Sequence, residues 1–250
     1  MSNSKKKVAL ITGGSRGIGK ACAMELAKHG HNIAFTYFSS EKRAINTKKQ
    51  IEKQGTEVIY IKVDISNNNQ IKNMVDQVLK KFGQIDVLVN NAGISEIKKI
   101  EDINEKDWDL VLDTNLKGTF FCTQLVMDHM KKRKTGRIIN MASQAGTTGG
   151  VFIGAHYSVS KGGVICLTKT LAKIGAQYGV LVNCVSPGLI ETDMLDSFPD
   201  KSIKEFVKTI PLGRLGKPEE VAKTVAFLAS DYAKYITGAN IPVNGGMLML

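Results

Sequence analysis

A short apolar run, a glycine-rich turn and an amphipathic stretch follow one another between Val8 and Gly30. Val8 to Thr12 reads as a buried strand, Gly13-Gly14-Ser15-Arg16-Gly17-Ile18-Gly19 as a turn, and Lys20 to about Lys28 as a helix. A strand that feeds a helix begins a parallel crossover, and parallel strands need helices over both faces of their sheet. The alternation then continues. Asn32–Tyr37, Glu57–Val63, Ile85–Val89, Arg137–Ala142, Val180–Val185 and Ala239–Val243 read as further strands. Between them, Glu41–Gln54, Asn67–Phe82, about Glu105–Lys132, a stretch ending near Tyr178 and Pro218–Ala229 read as helices. In the second of these, Ile71, Met74, Val75, Val78 and Leu79 fall at helical spacing. The expected fold class is α/β: a doubly wound parallel sheet of about seven strands, with helices on both faces in a three-layer sandwich.

Strand, glycine turn and helix also form the context of a Rossmann-type dinucleotide site. Glycines let the backbone approach a pyrophosphate, and the helix N-terminus presents amides to it. The spacing is Gly-x-x-x-Gly-x-Gly, not the Gly-x-Gly-x-x-Gly of larger dehydrogenases. Gly13, Ser15, Arg16, Gly17, Ile18 and Gly19 are therefore candidate cofactor contacts. An acid at the end of the second strand would take ribose hydroxyls and repel a 2′-phosphate. That end is Tyr37-Phe38-Ser39-Ser40, with no acid. Arg16, Ser39 and Ser40, helped by Lys42 or Arg43, could bind such a phosphate. The expected cofactor is NADP(H), with NAD(H) the alternative. Ser39 and Ser40 also suit capping of the next helix, which is compatible with that role. Asp64 and Ile65 lie at the end of the third strand, where an adenine would sit. Asn91, Ala92 and Gly93 end the fourth strand and are small enough for a cofactor to pass.

Tyr157 and Lys161, if helical, stand one turn apart on one face. A unit positive charge about 4 Å from a phenol, at an effective dielectric of ~20, favours the phenolate by roughly 4 kcal/mol. That is roughly three pKa units, from ~10 to near neutrality, and would make a general acid–base. Ser143 precedes the pair as a hydroxyl for a substrate oxygen. Taken alone, a Tyr and a Lys at this spacing are most often a solvated helix face. His156 adjoins Tyr157 but points about 100° away and reads as a lining or packing residue. Trp108 reads as packing.

The chain has 250 residues, 43% hydrophobic and 23% charged, with a net charge of +11. No linker or composition shift divides it, so residues 1–250 are expected to form one domain, with a substrate lid around 189–217. Cys22, Cys122, Cys166 and Cys184 form no Cys-x-x-Cys pair and sit in apolar segments, so buried free thiols are expected. The histidines do not cluster with them, and no metal is expected. Met1 to Lys7 is polar and basic, no apolar run reaches the ~18 residues of a membrane span, and a cytoplasmic location is expected. The positive charge admits nucleotide phosphates, coenzyme A or an acidic carrier protein. With 6% aromatic residues and no basic–aromatic interleaving, a nucleic-acid partner is not expected. The Lys131–Lys134 run reads as a solvated helix end.

Taken together, the Thr12–Gly19 turn, Asp64, Asn90–Gly93, Asn115, Ser143, Tyr157, Lys161, Pro187-Gly188 and Thr192 resemble the short-chain dehydrogenase/reductase family over essentially the whole chain. Within it, Thr-Gly-Gly-Ser-Arg-Gly-Ile-Gly, the Tyr37 strand end, Pro-Gly-Leu-Ile-Glu-Thr-Asp-Met and the closing Val-Asn-Gly-Gly are most similar to the 3-oxoacyl-acyl-carrier-protein reductases. The resemblance implies a catalytic set of Asn115, Ser143, Tyr157 and Lys161. Tyr157 would exchange the proton, and Lys161 would lower its pKa and hold the nicotinamide ribose. Ser143, with Gln144 beside it, would meet the substrate, and Asn115 would hold a relay water. Pro187, Gly188, Ile190 and Thr192 would line the nicotinamide. The implied activity is reduction of a 3-oxoacyl thioester to a secondary alcohol in fatty acid biosynthesis, by a homotetramer. The apolar tail Met247–Leu250 suits burial against a partner chain or within its own.

Ile174 and Tyr178 depart from the Glu and Arg that carrier-protein reductases often have there, and the Ser143–Tyr157 loop is one residue longer. Lys134 stands near a second docking position, at the edge opposite its own active site. An acidic acyl carrier protein is thus an implied partner with an altered dock. The same chemistry on a sugar, polyol, steroid or other small alcohol is the alternative. A nucleotide-sensing regulatory or scaffold protein ranks last, because Ser143, Tyr157 and Lys161 are all present.

Overall fold

The computed structural model describes residues 6–150, 153–198 and 200–249. The start of the leader reading, residues 1–5, and the last residue of the apolar tail, Leu250, lie outside them. Seven strands form one parallel sheet: β1 (Val8–Ile11), β2 (Asn32–Tyr37), β3 (Val58–Lys62), β4 (Val87–Asn90), β5 (Gly136–Met141), β6 (Val180–Pro187) and β7 (Asn240–Val243). Their order is β3-β2-β1-β4-β5-β6-β7. The order reverses between β1 and β4, and the crevice beyond the carboxyl ends of such strands is where ligands of doubly wound sheets bind.

The helices are α1 (Gly17–Lys28), α2 (Glu41–Glu52), α3 (Asn68–Phe82), α4 (Glu105–Leu112), α5 (Gly118–Arg133), α6 (Ala145–Thr148), α7 (Ala155–Ala176), α8 (Asp200–Thr209) and α9 (Pro218–Ala229). Strand side chains alternate between faces. Ala9 and Ile11 pack with α1, α2 and α9, while Val8 and Leu10 pack with α3, α5 and α7. The period-2 pattern of a strand buried on both sides thus builds two apolar layers, the main driving force of the fold. In α3 the stripe Ile71, Met74, Val75 and Val78 is buried, Asn67 caps the start, and Gly83 closes the end at φ 77°.

Three expectations need correction. The helix over Glu105–Lys132 is not regular: a π-helical turn, Asp113–Lys117, separates α4 from α5. Asn115 sits in that turn and is fully buried, bonded to the loop after β4. β6 runs to Pro187, because Ser186 and Pro187 pair with Pro242 and Val243. Cys22, Cys122 and Cys184 are buried free thiols, but Cys166 is exposed on the outer side of α7.

After β6 the chain leaves the sheet and returns at Gly216. Ile190 and Gly216 form a parallel bridge, with Glu191 donating to Gly216 O and Gly216 to Leu189 O, both at 2.9 Å. Ile190, Ile210, Leu212 and Val243 line a cavity of about 250 Å³ beside this neck. No helix among the described residues is long and apolar enough to cross a membrane.

Candidate active site

The glycine turn is braced from three sides. Thr12, just past β1, accepts bonds from the amides of Asn91 and Ala92 at its Oγ1, both at 3.0 Å. The Asn91 side chain donates back to Thr12 O at 2.9 Å and Gly13 O at 3.1 Å. From β2, Thr36 accepts from Gly13 and Gly14, and from α2 Thr47 donates to Ser15 O. Arg16 makes no side-chain capping bond to α1, and no acid stands in that helix's first turn. The first amides therefore face outward in a positive field suited to an anion. A Cβ on Gly19 would collide with Gly13 O, so only glycine permits this tight a turn. Ile18 packs back on the core, and Thr192 lies directly over Gly17.

At the end of β2, Ser40 caps α2 by accepting from the Arg43 amide, and Ser39 is exposed. Tyr37 is buried, with its hydroxyl beside Glu41 at the start of α2. Its ring packs on Tyr60 in the core, and burial with the neighbouring Glu41 carboxylate pushes its hydroxyl pKa up. Asp64 Oδ1 holds the amide and hydroxyl of Ser66, and Ile65 supports Gly118 at the start of α5.

Tyr157 and Lys161 lie on α7, 6% and 4% exposed. Lys161 Nζ is 5.7 Å from the Tyr157 ring centroid and donates to Met141 O, at the end of β5, at 2.8 Å. Ser143, just past β5, accepts from the Ala145 amide at its Oγ and stands near enough to the Tyr157 hydroxyl to pull its pKa down. The ammonium thus lies over the phenol ring, as the helical spacing implies. Burial raises the Tyr157 pKa, and Ser143 opposes it only in part. Burial also lowers Lys161, to about 8. The phenol is held in its protonated form, not near neutrality, which corrects the expectation. Desolvation, the largest cause of that rise, is invisible in a spacing pattern.

Asn115 supports this pair from below. Its Nδ2 donates to Ile94 O and Ser160 Oγ, and its Oδ1 accepts from the Ile94 amide. Ser160 in turn donates to Tyr157 O at 2.7 Å. The side chain is committed to the loop after β4 and to α7, so it positions both. Gly93 stands between Asn115 Oδ1 and Lys161 Nζ. Beneath them Asn90 bonds Thr123 and Asn140, and Asn140 bonds Thr168, a buried polar ladder joining β4, β5, α5 and α7. Within it, Asn90 Oδ1 has no partner among the described residues. Ser160, Thr36 and the Thr123, Asn140 and Thr168 members of this ladder escaped the sequence reading. Their one signal is small polar residues inside apolar runs.

Gln144 donates its amide to Pro187 O, and its side-chain oxygen is buried with no partner among the described residues. Gly188 is tied to Val243 O at 3.0 Å, and Ile190 is buried at the neck. Gly146 lets α6 rest against the Lys161 and Gly162 backbone, where any Cβ would intrude. His156 is wholly buried, its Nε2 3.8 Å from a Glu96 oxygen. Trp108 is 40% exposed, more open than a packing role implies.

A sequence-family profile described as enoyl-(acyl carrier protein) reductase matches residues 13–248. The chain is 44% identical to a 3-oxoacyl-[acyl-carrier-protein] reductase FabG of Staphylococcus epidermidis, over 97% of this chain and 99% of the relative. The chain belongs to the short-chain dehydrogenase/reductase family. Two more relatives are a 3-oxoacyl-[acyl-carrier-protein] reductase of Synechocystis, 46% identical over 97% of both chains, and a FabG of Thermotoga maritima. The latter is 42% identical over 97% of this chain and 98% of the relative. As a short-chain dehydrogenase/reductase the protein is an oxidoreductase, and the family uses a nicotinamide cofactor. The braced turn, the uncapped α1 amides and the Lys161 ammonium suit such a dinucleotide. Among the described residues that ammonium spends one of its three donors, on Met141 O.

Proposed function

We propose that the protein reduces 3-oxoacyl thioesters, linked to acyl carrier protein or coenzyme A, to secondary alcohols with NADP(H). The observation that carries the chemistry is the buried Tyr157 between half-buried Ser143 and buried Lys161, beside the glycine turn. Similarity to reductases named for 3-oxoacyl-carrier substrates supports the substrate. The bound cofactor supplies a hydride for the carbonyl carbon. Gly13 to Gly19 and the α1 amides hold its phosphates. Asp64, Ile65, Asn91, Ala92 and Gly93 flank its adenosine half, with Pro187, Gly188, Ile190 and Thr192 at its nicotinamide half. Ser143 donates a hydrogen bond to the carbonyl oxygen, and Tyr157 gives that oxygen its proton. A phenol held protonated at neutral pH suits that direction. The resulting phenolate lies under the Lys161 ammonium, which stabilises it. Asn115 acts as a positioning residue, and Gln144 offers its unpartnered oxygen to the substrate.

The NADP(H) preference rests on Arg16 and Arg43 and on the lack of an acid in the Tyr37–Ser40 sequence that ends β2. Residues 189–217 form the lid, hung on the Ile190–Gly216 neck of a single cytoplasmic domain. Trp108, Leu110 and Phe120 on α4–α5 and Val159, Cys166 and Ile174 on α7 are exposed and suit a homotetramer interface. Lys131 lies 5.1 Å over the Tyr178 ring, so a cation stands beside the position where the family resemblance implies an arginine. The departure at Ile174 favours, as a second reading, a small ketone free of any carrier.

The test is loss of reduced-nicotinamide absorbance with acetoacetyl-coenzyme A. Tyr157→Phe should keep cofactor affinity within about two-fold while turnover falls by about 10²–10⁴. Undiminished turnover in that variant would reject the assigned acid.

A further inference from the structure

Two arginines from different elements share one carboxylate oxygen. Arg16, at the start of α1, places Nη1 3.1 Å from Asp193 Oδ2. Arg43, in the first turn of α2, pairs through Nη1 with the same oxygen. Asp193 opens the 3₁₀ turn Asp193–Ser197, one residue after Thr192 crosses over Gly17. The three side chains come from positions 177 and 150 residues apart and are between 41% and 59% exposed. Packing does not force them together, so charge gathers them. Both arginines hold the Asp193 carboxyl below its usual pKa, so it is ionised at neutral pH. A guanidinium fork accepts carboxylate and phosphate by the same geometry.

We infer that Asp193 is a cofactor-specificity residue: its carboxylate rests on the Arg16–Arg43 pair in the place of the 2′-phosphate of NADP(H) and is displaced when that phosphate binds. This rests on the NADP(H) reading above. A 2′-phosphate carries roughly −1.5 to −2 charges against −1 for the carboxylate, so it wins the exchange, with part of its binding free energy spent on the displacement. An unphosphorylated ribose makes no such demand. Asp193 therefore narrows the preference for the phosphorylated cofactor, although the arginines create it. The same exchange releases Asp193 from α1 and α2, so phosphate binding and the position of the segment after Thr192 are linked reciprocally.

The experiment measures binding of 2′,5′-ADP and of 5′-ADP by calorimetry at low salt, for wild type and Asp193→Asn. Exposed ion pairs of this kind predict a three- to ten-fold tighter Kd for 2′,5′-ADP in the variant, with 5′-ADP changed by less than about two-fold. The gain should shrink at high salt. In an Arg43→Gln background the Asp193→Asn effect should shrink to what the Arg16 pair alone supplies. An unchanged or weaker 2′,5′-ADP affinity in Asp193→Asn, with unaltered circular dichroism, overturns the inference. The wild-type ratio of the two affinities reads the NADP(H) assignment separately. A ratio near one defeats that assignment, whereas a high ratio that Asp193→Asn leaves alone defeats only the displacement.

Discussion

Lys161 is held in the fold at a cost that pH should reveal. Its pKa falls from an ordinary 10.5 to about 8, because burial withdraws water from the ammonium. The unfolded chain therefore binds more protons at this residue than the folded one between about pH 8 and about pH 10.5. Stability rises with pH across that window, and the full penalty applies below it. From those two pKa values, raising the pH from about 7 to about 9.5 relieves roughly 2 kcal/mol at this one residue. Lys161→Met keeps most of the apolar stem and removes the titration. It also leaves Met141 O without its donor, which offsets absolute stability but not its pH slope. Urea unfolding of both proteins, followed by far-ultraviolet circular dichroism at one protein concentration, gives the difference. Wild type should gain about 2 kcal/mol more than Lys161→Met between the two pH values. Parallel pH profiles would refute the claim that desolvation governs this lysine.

Three further outcomes follow from the same geometry. Thr12→Val strips two amides of their acceptor, which costs about 2–4 kcal/mol, lowers Tm by roughly 5–10 °C and weakens cofactor binding; Thr12→Ser should restore both, and a Val variant of wild-type Tm would show that the brace is dispensable. Reductive kcat should be level below about pH 8 and fall above it as Lys161 loses the proton that stabilises the phenolate; a rate that climbs through that range contradicts the role. Cys166 alone among the four thiols is exposed, whereas burial pushes Cys22 to about 12 and Cys184 to about 11. A native thiol titration should find almost no reactive group if α7 is an interface, and a full equivalent per chain would remove α7 from the assembly.

The sheet was legible because its signals are local. Pro218 with Glu219 and Glu220 marks the start of α9, the Asn32–Tyr37 run marks β2, and the stripe from Ile71 to Val78 marks α3. The meeting of Ser143, Tyr157 and Lys161 was legible too, since strand ends and helical spacing bring them together. What escaped depends on partners far along the chain. Nothing near Asn115 announces that Ile94 and Ser160 claim its amide and that a π-helical turn results. Tyr37 ends an apolar strand, and only the position of Tyr60 turns it inward. Cys166 sits among apolar residues, yet α7 leaves that stripe uncovered within one chain. Asp193 meets Arg16 and Arg43 across more than half the sequence, beyond the reach of any local pattern. The acidity of Tyr157 was misjudged for a related reason: spacing reveals the cation but not the loss of water.

The clasp between Ile190 and Gly216 carries an evolutionary consequence. It fixes the two ends of the excursion at one height above the sheet, whatever the intervening chain does. The entropic cost of closing such a loop grows only slowly with its length. Stretches of different size and chemistry can therefore be grafted between these anchors with little disturbance to Tyr157, Lys161 or the strands. A lineage could retune what it accepts by exchanging a single cassette, while the proton-handling machinery below is inherited intact.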